Sequence, residues 1–274
     1  MLQPRAVYTH GHHDSVLRSH TRRDAANSAG YLVGHLRPNM SLLDVGCGPG
    51  TITADFAHYL PGGRVVGVDD AAGVLEHARA TAARTPAGEM PAAKVAFAAA
   101  DASALPYGDG AFDVVHAHQV LQHLGDPVAA LAEMRRVCRP GGLVAARDTD
   151  YSAMTWFPRD PRLDRWLELY HAAARRNGAE PDAGRHLLAW AHAAGFADVS
   201  ASASAWCFAT ADDRAWWGGL WAERVTSSAL AAQLVGSDLA TDHELADIAD
   251  AWRAWAADPD AWFALLHGEI LCRV

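Results

Sequence analysis

One short run of residues has the spacing needed to hold a ligand. Leu42-Leu43-Asp44-Val45-Gly46-Cys47-Gly48-Pro49-Gly50 sets an acid ahead of three alternating glycines. Glycine is needed where backbone turns tightly and approaches a ligand with no Cβ in the way. A helix that follows such a loop turns free N–H groups and a positive dipole end toward a carboxylate or phosphate. Further on, Val65-Val66-Gly67-Val68 runs into Asp69 and Asp70, with Asp69 nineteen residues after Gly50. A carboxylate there can accept both hydroxyls of a ribose, as the acid about 20 residues beyond the glycines does in nucleotide-binding sheets. A third acid, Asp101 in Ala100-Asp101-Ala102-Ser103, can accept from an adenine amino group. A glycine-rich loop also fits NAD, or a plain tight turn. Here the spacing is GxGxG rather than GxGxxG, and Asp44 suits the ammonium end of an amino acid better than a pyrophosphate.

The chain has 15 histidines, and three are candidates for moving a proton. His116 and His118 stand two apart in a strand-like run and so share a face. His118 falls at the strand end, where an active site opens. His123 follows in Val120-Leu121-Gln122-His123-Leu124. Each can act as a general base, and each reads more readily as a packed structural histidine. The cluster His10-Gly11-His12-His13, with His20 beyond it, lies near the start of the sequence and is flanked by glycine, where fixed ligands are not expected, so no metal is expected.

Alternating elements must position these residues. Ser41–Val45, Arg64–Val68, Lys94–Ala98, Ala111–His118 and Leu143–Asp148 read as strands, and Thr51–Tyr59, Ala71–Arg84 and Val128–Val137 as helices. That order implies βαβ units and a parallel sheet, with ligands outside the carboxyl ends of the strands. Ahead of it, Ser15–Leu36 reads as one amphipathic helix or two, ended by Pro38-Asn39. Beyond 150, helical patterns cover 160–178, 182–194, 211–235 and 241–257, and Ala197–Phe208 and Ala261–Val274 alternate as strands do. All ten tryptophans lie at or after Trp156. At helical spacing they read as core. Trp216, Trp217 and Trp221 also read as walls of a pocket for an aromatic ligand, and the two readings are compatible.

With 274 residues and 50% hydrophobic content, the chain can bury one large α/β domain, or one domain with a cap. A net charge of -9 leaves no basic footprint for nucleic acid. No apolar run of about 18 residues exists to cross a membrane. The first residues, MLQPRAVYTHGHHDS, hold no apolar stretch of a secretory signal. The four cysteines lie far apart, so a reducing cytoplasm is the expected location.

Five blocks carry a resemblance. They are the glycine loop, the Asp69 strand end, Asp101, Phe112-Asp113-Val114-Val115 leading into His118-Gln119, and Leu131–Val144 with its Arg-Pro-Gly-Gly. In order and spacing they resemble class I S-adenosylmethionine (SAM)-dependent methyltransferases. They are most similar to the branch holding ubiquinone/menaquinone C-methyltransferases and small-molecule methyltransferases of secondary metabolism. The resemblance covers about 41–148. It implies that Asp44, Gly46, Cys47, Gly48 and Gly50 hold the methionine part of SAM. Asp69 with Asp70 would bind the ribose, and Asp101 with the Ala102 backbone the adenine. His118 or Gln119 would lie near the methionine end. It implies a Rossmann-like seven-stranded sheet of order 3-2-1-4-5-7-6, the last strand antiparallel. Residues 1–36 are expected as a helical lid, 37–150 as the SAM-binding core, and 151–274 as a helical insertion with the last two strands. Within the lid, Tyr8 and either Arg22 or Arg23 would meet the cofactor's carboxylate.

The expected activity is methyl transfer to a small-molecule acceptor, such as an electron-rich quinone, phenol or indole. No nucleic acid, membrane or metal is involved, and a homodimer is allowed. The alternative is a SAM-binding protein that transfers no methyl group, pericyclase-like or purely binding. An NAD-dependent oxidoreductase loses on loop spacing and on the Asp101 block.

Overall fold

The structure is a computed structural model that describes residues 20, 22–84 and 94–274. A helix α1 (Ala25–Val33) leads into strand β1 (Ser41–Val45), helix α2 (Thr51–Tyr59), β2 (Arg64–Asp69), α3 (Val74–Arg84) and β3 (Lys94–Ala99). Then come β4 (Phe112–His118), α4 (Pro127–Val137) and β5 (Cys138–Thr149). These five strands pair in parallel, in the order β3-β2-β1-β4-β5.

The last strand, β8 (Trp262–Arg273), runs antiparallel to β5, with Leu143 opposite Arg273 and Thr149 opposite His267. On its other side β7 (Asp198–Phe208) pairs antiparallel along its whole length. This is the expected 3-2-1-4-5-7-6 order, with β8 and β7 in the last two places. One strand was not foreseen. The three residues of β6 (Thr155–Phe157) continue the β5 ladder along β8, and three residues are too few to show a period.

Alternation assigns the two faces. Leu42, Val65, Val114 and Ala145 point one way, onto Leu32 of α1 and Phe56 of α2. Leu43, Val45, Val115 and Val144 point the other way, onto Leu131 and Met134 of α4 and Leu187 of α6 (Leu187–Ala193). Each such burial is worth about 1.5–3 kcal/mol of transfer free energy.

The tryptophan-rich half builds a second core. It gathers α5 (Pro161–Arg176), α7 (Ala211–Ser227), α8 (Ala229–Gly236) and α9 (Asp242–Ala257). Trp166 sits at its centre, edge-on to Trp221 and Trp252 with centroids 4.5 and 5.0 Å away. One expected helix is corrected. The pattern over 211–235 is two helices, because Ser228 is extended and its hydroxyl both caps α8 at Leu230 and closes on the Arg224 carbonyl. Of the amphipathic run expected from Ser15 as one helix or two, the described residues show His20 as helical and a separate helix beginning at Ala25. There Asp24 and Asn27 form a reciprocal cap.

Candidate active site

The carboxyl ends of the parallel strands open on a cavity of about 390 Å³. The loop after β1 forms its floor. Gly46, Gly48 and Gly50 all take left-handed φ values, 68°, 52° and 76°. A Cβ on Gly46 would stand 2.3 Å from Val120 Cγ2, so a side chain there would both strain the backbone and clash. Helix α2 begins at Thr51, which puts its positive end at the loop.

The acids after the strands are held differently. Asp44 is buried, with one carboxylate oxygen 2.8 Å from Nδ1 of His116 and the other accepting the Thr53 hydroxyl. His116 touches Phe56 edge-on and does not line the cavity. Its place is behind Asp44, where it can orient that carboxylate. Asp69 accepts from the Gly48 amide at 2.9 Å and from the Ala71 amide at 3.0 Å. Asp101 accepts from the Ser103 amide at 2.8 Å. Asp69, Asp70, Asp101 and Ala102 all line the cavity, as do Gly46, Cys47 and Gly48. Burial and the charges of Asp44 and Asp69 push the Cys47 thiol far up, so it stays protonated.

At the end of β4, His118 lines the cavity with both ring nitrogens buried and without hydrogen-bond partners among the described residues. Burial, then the nearby Arg23 and Arg147, hold its pKa well below 6.5, so the ring is neutral. His123 also lines the cavity. Its pKa falls to about 3, from burial and then Arg23. Gln119 is one of two non-glycine residues with positive φ among the described residues, at 54°. In that conformation its amide bridges two side chains. Its Oε1 accepts from Arg23 at 2.9 Å, and its Nε2 lies 2.9 Å from Nε2 of His267. Strain of this kind is retained where surrounding contacts hold it.

The two arginines expected near the cofactor carboxylate go separate ways. Arg22 turns outward, paired with Asp213 at 2.9 Å and lying over the Trp216 ring. It does not line the cavity. Arg23 does, and it lies over Trp206. Trp206 in turn donates through Nε1 to the Asn27 carbonyl at 2.9 Å, and Thr51 Oγ1 donates to the His20 carbonyl at 3.2 Å. His20 and residues 22–27 thus strap the glycine loop to β7 and α7. Tyr8 lies outside the described residues, as do His10, His12 and His13. Among the described residues no group of three metal-ligating side chains gathers, and no helix is long and apolar enough to cross a membrane.

The far end of the cavity was only partly legible. Thr149 and Tyr151 come from β5 and the turn after it, Trp206 and Leu265 from β7 and β8, and Trp216, Trp217, Trp221 and Arg224 from α7. Trp217 and Trp221 line the cavity and also belong to the second core. Gln122 and Thr149 were missed. Each is buried and lines the cavity, with Gln122 Oε1 and Thr149 Oγ1 unpartnered among the described residues. Behind this end, Arg147 and Glu269 form a buried pair at 3.2 Å, and the Ser202 and Ser204 hydroxyls donate to Glu269. Burial lowers the Arg147 pKa to about 10, against the opposing pull of Glu269.

A parallel sheet, a left-handed glycine turn after its first strand and a cavity lined by acids after its first three strands define an α/β nucleoside-cofactor enzyme. The chain belongs to the class I SAM-dependent methyltransferases, and its cofactor is SAM. A methyltransferase domain family matches residues 43–146. An uncharacterized methyltransferase of Schizosaccharomyces pombe is 34% identical over 96% of this chain and 95% of its own. The probable methyltransferase ltbC of Aspergillus luteorubrus is 31% identical over 96% of each. Among solved structures, the YcgJ protein of Bacillus subtilis superimposes with a TM-score of 0.57 at 20% identity, covering 90% of this chain and 98% of its own. That likeness is one of fold.

Proposed function

We propose that the chain methylates a planar aromatic small molecule of the quinone, phenol or indole type. The observation that carries this is the continuity of the cavity. One space runs from Gly46–Pro49 and Asp69 to Trp206, Trp216, Trp217 and Trp221. Aromatic walls bind a flat ring through large contact areas at low entropic cost. An acceptor lying there faces the methyl-bearing end of the cofactor, and the strap shuts out water.

In this reading, Asp44 and the Gly46–Gly50 turn hold the amino-acid end of SAM. Asp69 and Asp70 take the ribose, and Asp101 with Ala102 the adenine. SAM supplies an electrophilic methyl group on a sulfonium. His118, neutral and without a partner among the described residues, accepts the proton that leaves the acceptor's hydroxyl as the methyl bond forms, or its ring carbon once that bond has formed, while the electron pair of the broken methyl–sulfur bond leaves with S-adenosylhomocysteine. Gln119 orients the junction through Arg23 and His267. Residues 1–36 act as a lid over a 37–150 core, and 151–274 shapes the acceptor end.

The test is turnover. Purified protein with SAM is offered hydroxynaphthalenes, phenols, indoles and aliphatic alcohols, and S-adenosylhomocysteine is measured. Release with flat aromatics alone is expected. Release with aliphatic acceptors alone would overturn the aromatic reading, and binding of SAM with no release under any acceptor would favour a SAM-binding protein without transfer.

A further inference from the structure

One carboxylate of the cavity is held from behind by two elements. Asp44 and His116 stand opposite each other on β1 and β4. Nδ1 of His116 lies 2.8 Å from one Asp44 oxygen, and the Thr53 hydroxyl donates to the other. A carboxylate only accepts, so the ring nitrogen that faces it carries the hydrogen. Helix α2 fixes both donors. Thr53 and Phe56 stand three apart on it and so share a face. Phe56 meets the His116 ring edge-on, with centroids 5.1 Å apart. Thr53, Phe56 and His116 are all fully buried.

Asp44 lines the cavity and His116 does not. The direct route from His116 to a ligand is therefore that carboxylate. Asp44 is only 3% exposed, and a buried anion is kept only where donors replace water. Each of its oxygens keeps a second lone pair beside the one its donor takes. Two donors thus fix the plane of the carboxylate and leave lone pairs for a cation. Removing one would leave an oxygen unsatisfied and free the group to turn. Nε2 of His116 has no hydrogen-bond partner among the described residues. The one ring nitrogen that is satisfied is the one on Asp44, which a histidine buried only as filler would not require.

We propose that His116 is a positioning residue for the cofactor, orienting Asp44 toward the ammonium at the amino-acid end of SAM. This rests on the placement of that end at Asp44 given above. Calorimetry with two probes separates the two claims. S-adenosylhomocysteine carries the amino-acid end, whereas methylthioadenosine keeps the adenosine and the sulfur and lacks it. His116→Phe keeps a ring against Phe56 and removes the donor. It should weaken S-adenosylhomocysteine by about tenfold and leave methylthioadenosine within about twofold. His116→Asn offers an amide N–H close to the place of Nδ1 and should recover most of the loss. In an Asp44→Asn background, His116→Phe should cost less than about twofold, since both act through one group. That cycle needs S-adenosylhomocysteine alone, and His116→Leu takes the place of His116→Phe should the latter not fold. Equal weakening of both probes, no weakening, or additive losses in the cycle would make His116 a packing residue. An Asp44→Asn variant that binds S-adenosylhomocysteine as the native protein does would overturn the placement of the amino-acid end, and the proposal with it.

Discussion

The backbone amide of Gly48 donates to the Asp69 carboxylate at 2.9 Å, tying the glycine turn to the end of the next strand. The other oxygen takes the Ala71 amide at 3.0 Å. Each carboxylate oxygen has a second lone pair, so Asp69 can shape the loop and still accept ribose hydroxyls. Asp69→Ala should therefore weaken S-adenosylhomocysteine binding by more than the loss of a ribose contact alone. An increase in Kd of about tenfold to a hundredfold is expected, from charge-assisted bonds worth about 1.5–3 kcal/mol. Asp69→Asn keeps one acceptor for Gly48 and should fall between. Calorimetry reads both, and an unchanged Kd in Asp69→Ala would remove the ribose assignment.

Arg22 and Arg23 should differ sharply, although they are neighbours. The Arg22–Asp213 pair has side chains 44% and 28% exposed, and such pairs are worth at most about 1 kcal/mol. Arg22→Ala should leave cofactor affinity and turnover within about threefold. Arg23→Ala removes the donor to Gln119 and the cation over Trp206. It should lower kcat/KM for the acceptor by about tenfold or more, because Gln119 loses its anchor. Steady-state kinetics on the two variants decide this, and equal effects would dissolve the distinction.

How legible this was in the sequence depended on the range of the interaction. Asp44, the glycines and Asp69 could be read because one βαβ unit brings them together within 26 residues of chain. The side of a residue was harder. Nothing in the Arg22-Arg23 dipeptide tells which guanidinium enters the cavity, since that depends on where Asp213 and Trp206 arrive from α7 and β7. His116 looked like His118 because alternation puts both on one face, and only the register with Asp44 makes it a support. The buried Arg147–Glu269 pair joins β5 to β8, whose register sets those two residues opposite each other. A signal was present, since His267 and Glu269 alternate within a strand that is apolar from Trp262 to Leu266 and from Ile270 to Cys272. Thr149 and Gln122 gave none, being ordinary polar residues whose burial depends on contacts distant in sequence: Thr149 lies opposite His267 of β8, and the Gln122 amide donates to Asp148.

Asp148 carries a pH dependence of stability. It is fully buried at the end of β5, where it accepts from the Gln122 amide at 3.2 Å. Burial raises its pKa to about 7, with the Gln122 and Leu121 amides and Arg147 opposing. The folded form therefore binds a proton that the unfolded chain has lost above about pH 4. Between about 4 and 7 the folded state holds more protons, so stability from this group falls as pH rises and is fully lost above about 7. In Asp148→Asn this slope should disappear. Its melting temperature relative to the native protein should rise by several degrees from pH 4 to pH 8, at about 2–4 °C per kcal/mol for a chain approaching this size. Parallel melting curves across that range would show that Asp148 is not held protonated.

His118 is the residue on which turnover should depend most. It stands where the cofactor end meets the tryptophans, with its ring 5.7 Å from Trp206 and stacked 6.2 Å from His267. If it accepts the acceptor's proton, His118→Ala should lower kcat by about 10²–10⁴-fold, the usual reach of general base catalysis. Cofactor affinity should stay within about threefold, because the SAM-side residues are untouched. The pH profile supplies a readout that packing would not move. Burial, Arg23 and Arg147 hold the pKa of His118 well below 6.5. The neutral, proton-accepting form thus persists as pH falls through 6.5 and is lost only below that lowered pKa, so kcat should show no acid limb near 6.5. Arg23→Gln removes one of the cations that depress it, and the acid limb should move up toward 6.5 in that variant. A kcat that survives His118→Ala, or an acid limb that ignores Arg23→Gln, would make His118 a packing residue and pass the proton to solvent or to the acceptor's own ionisation.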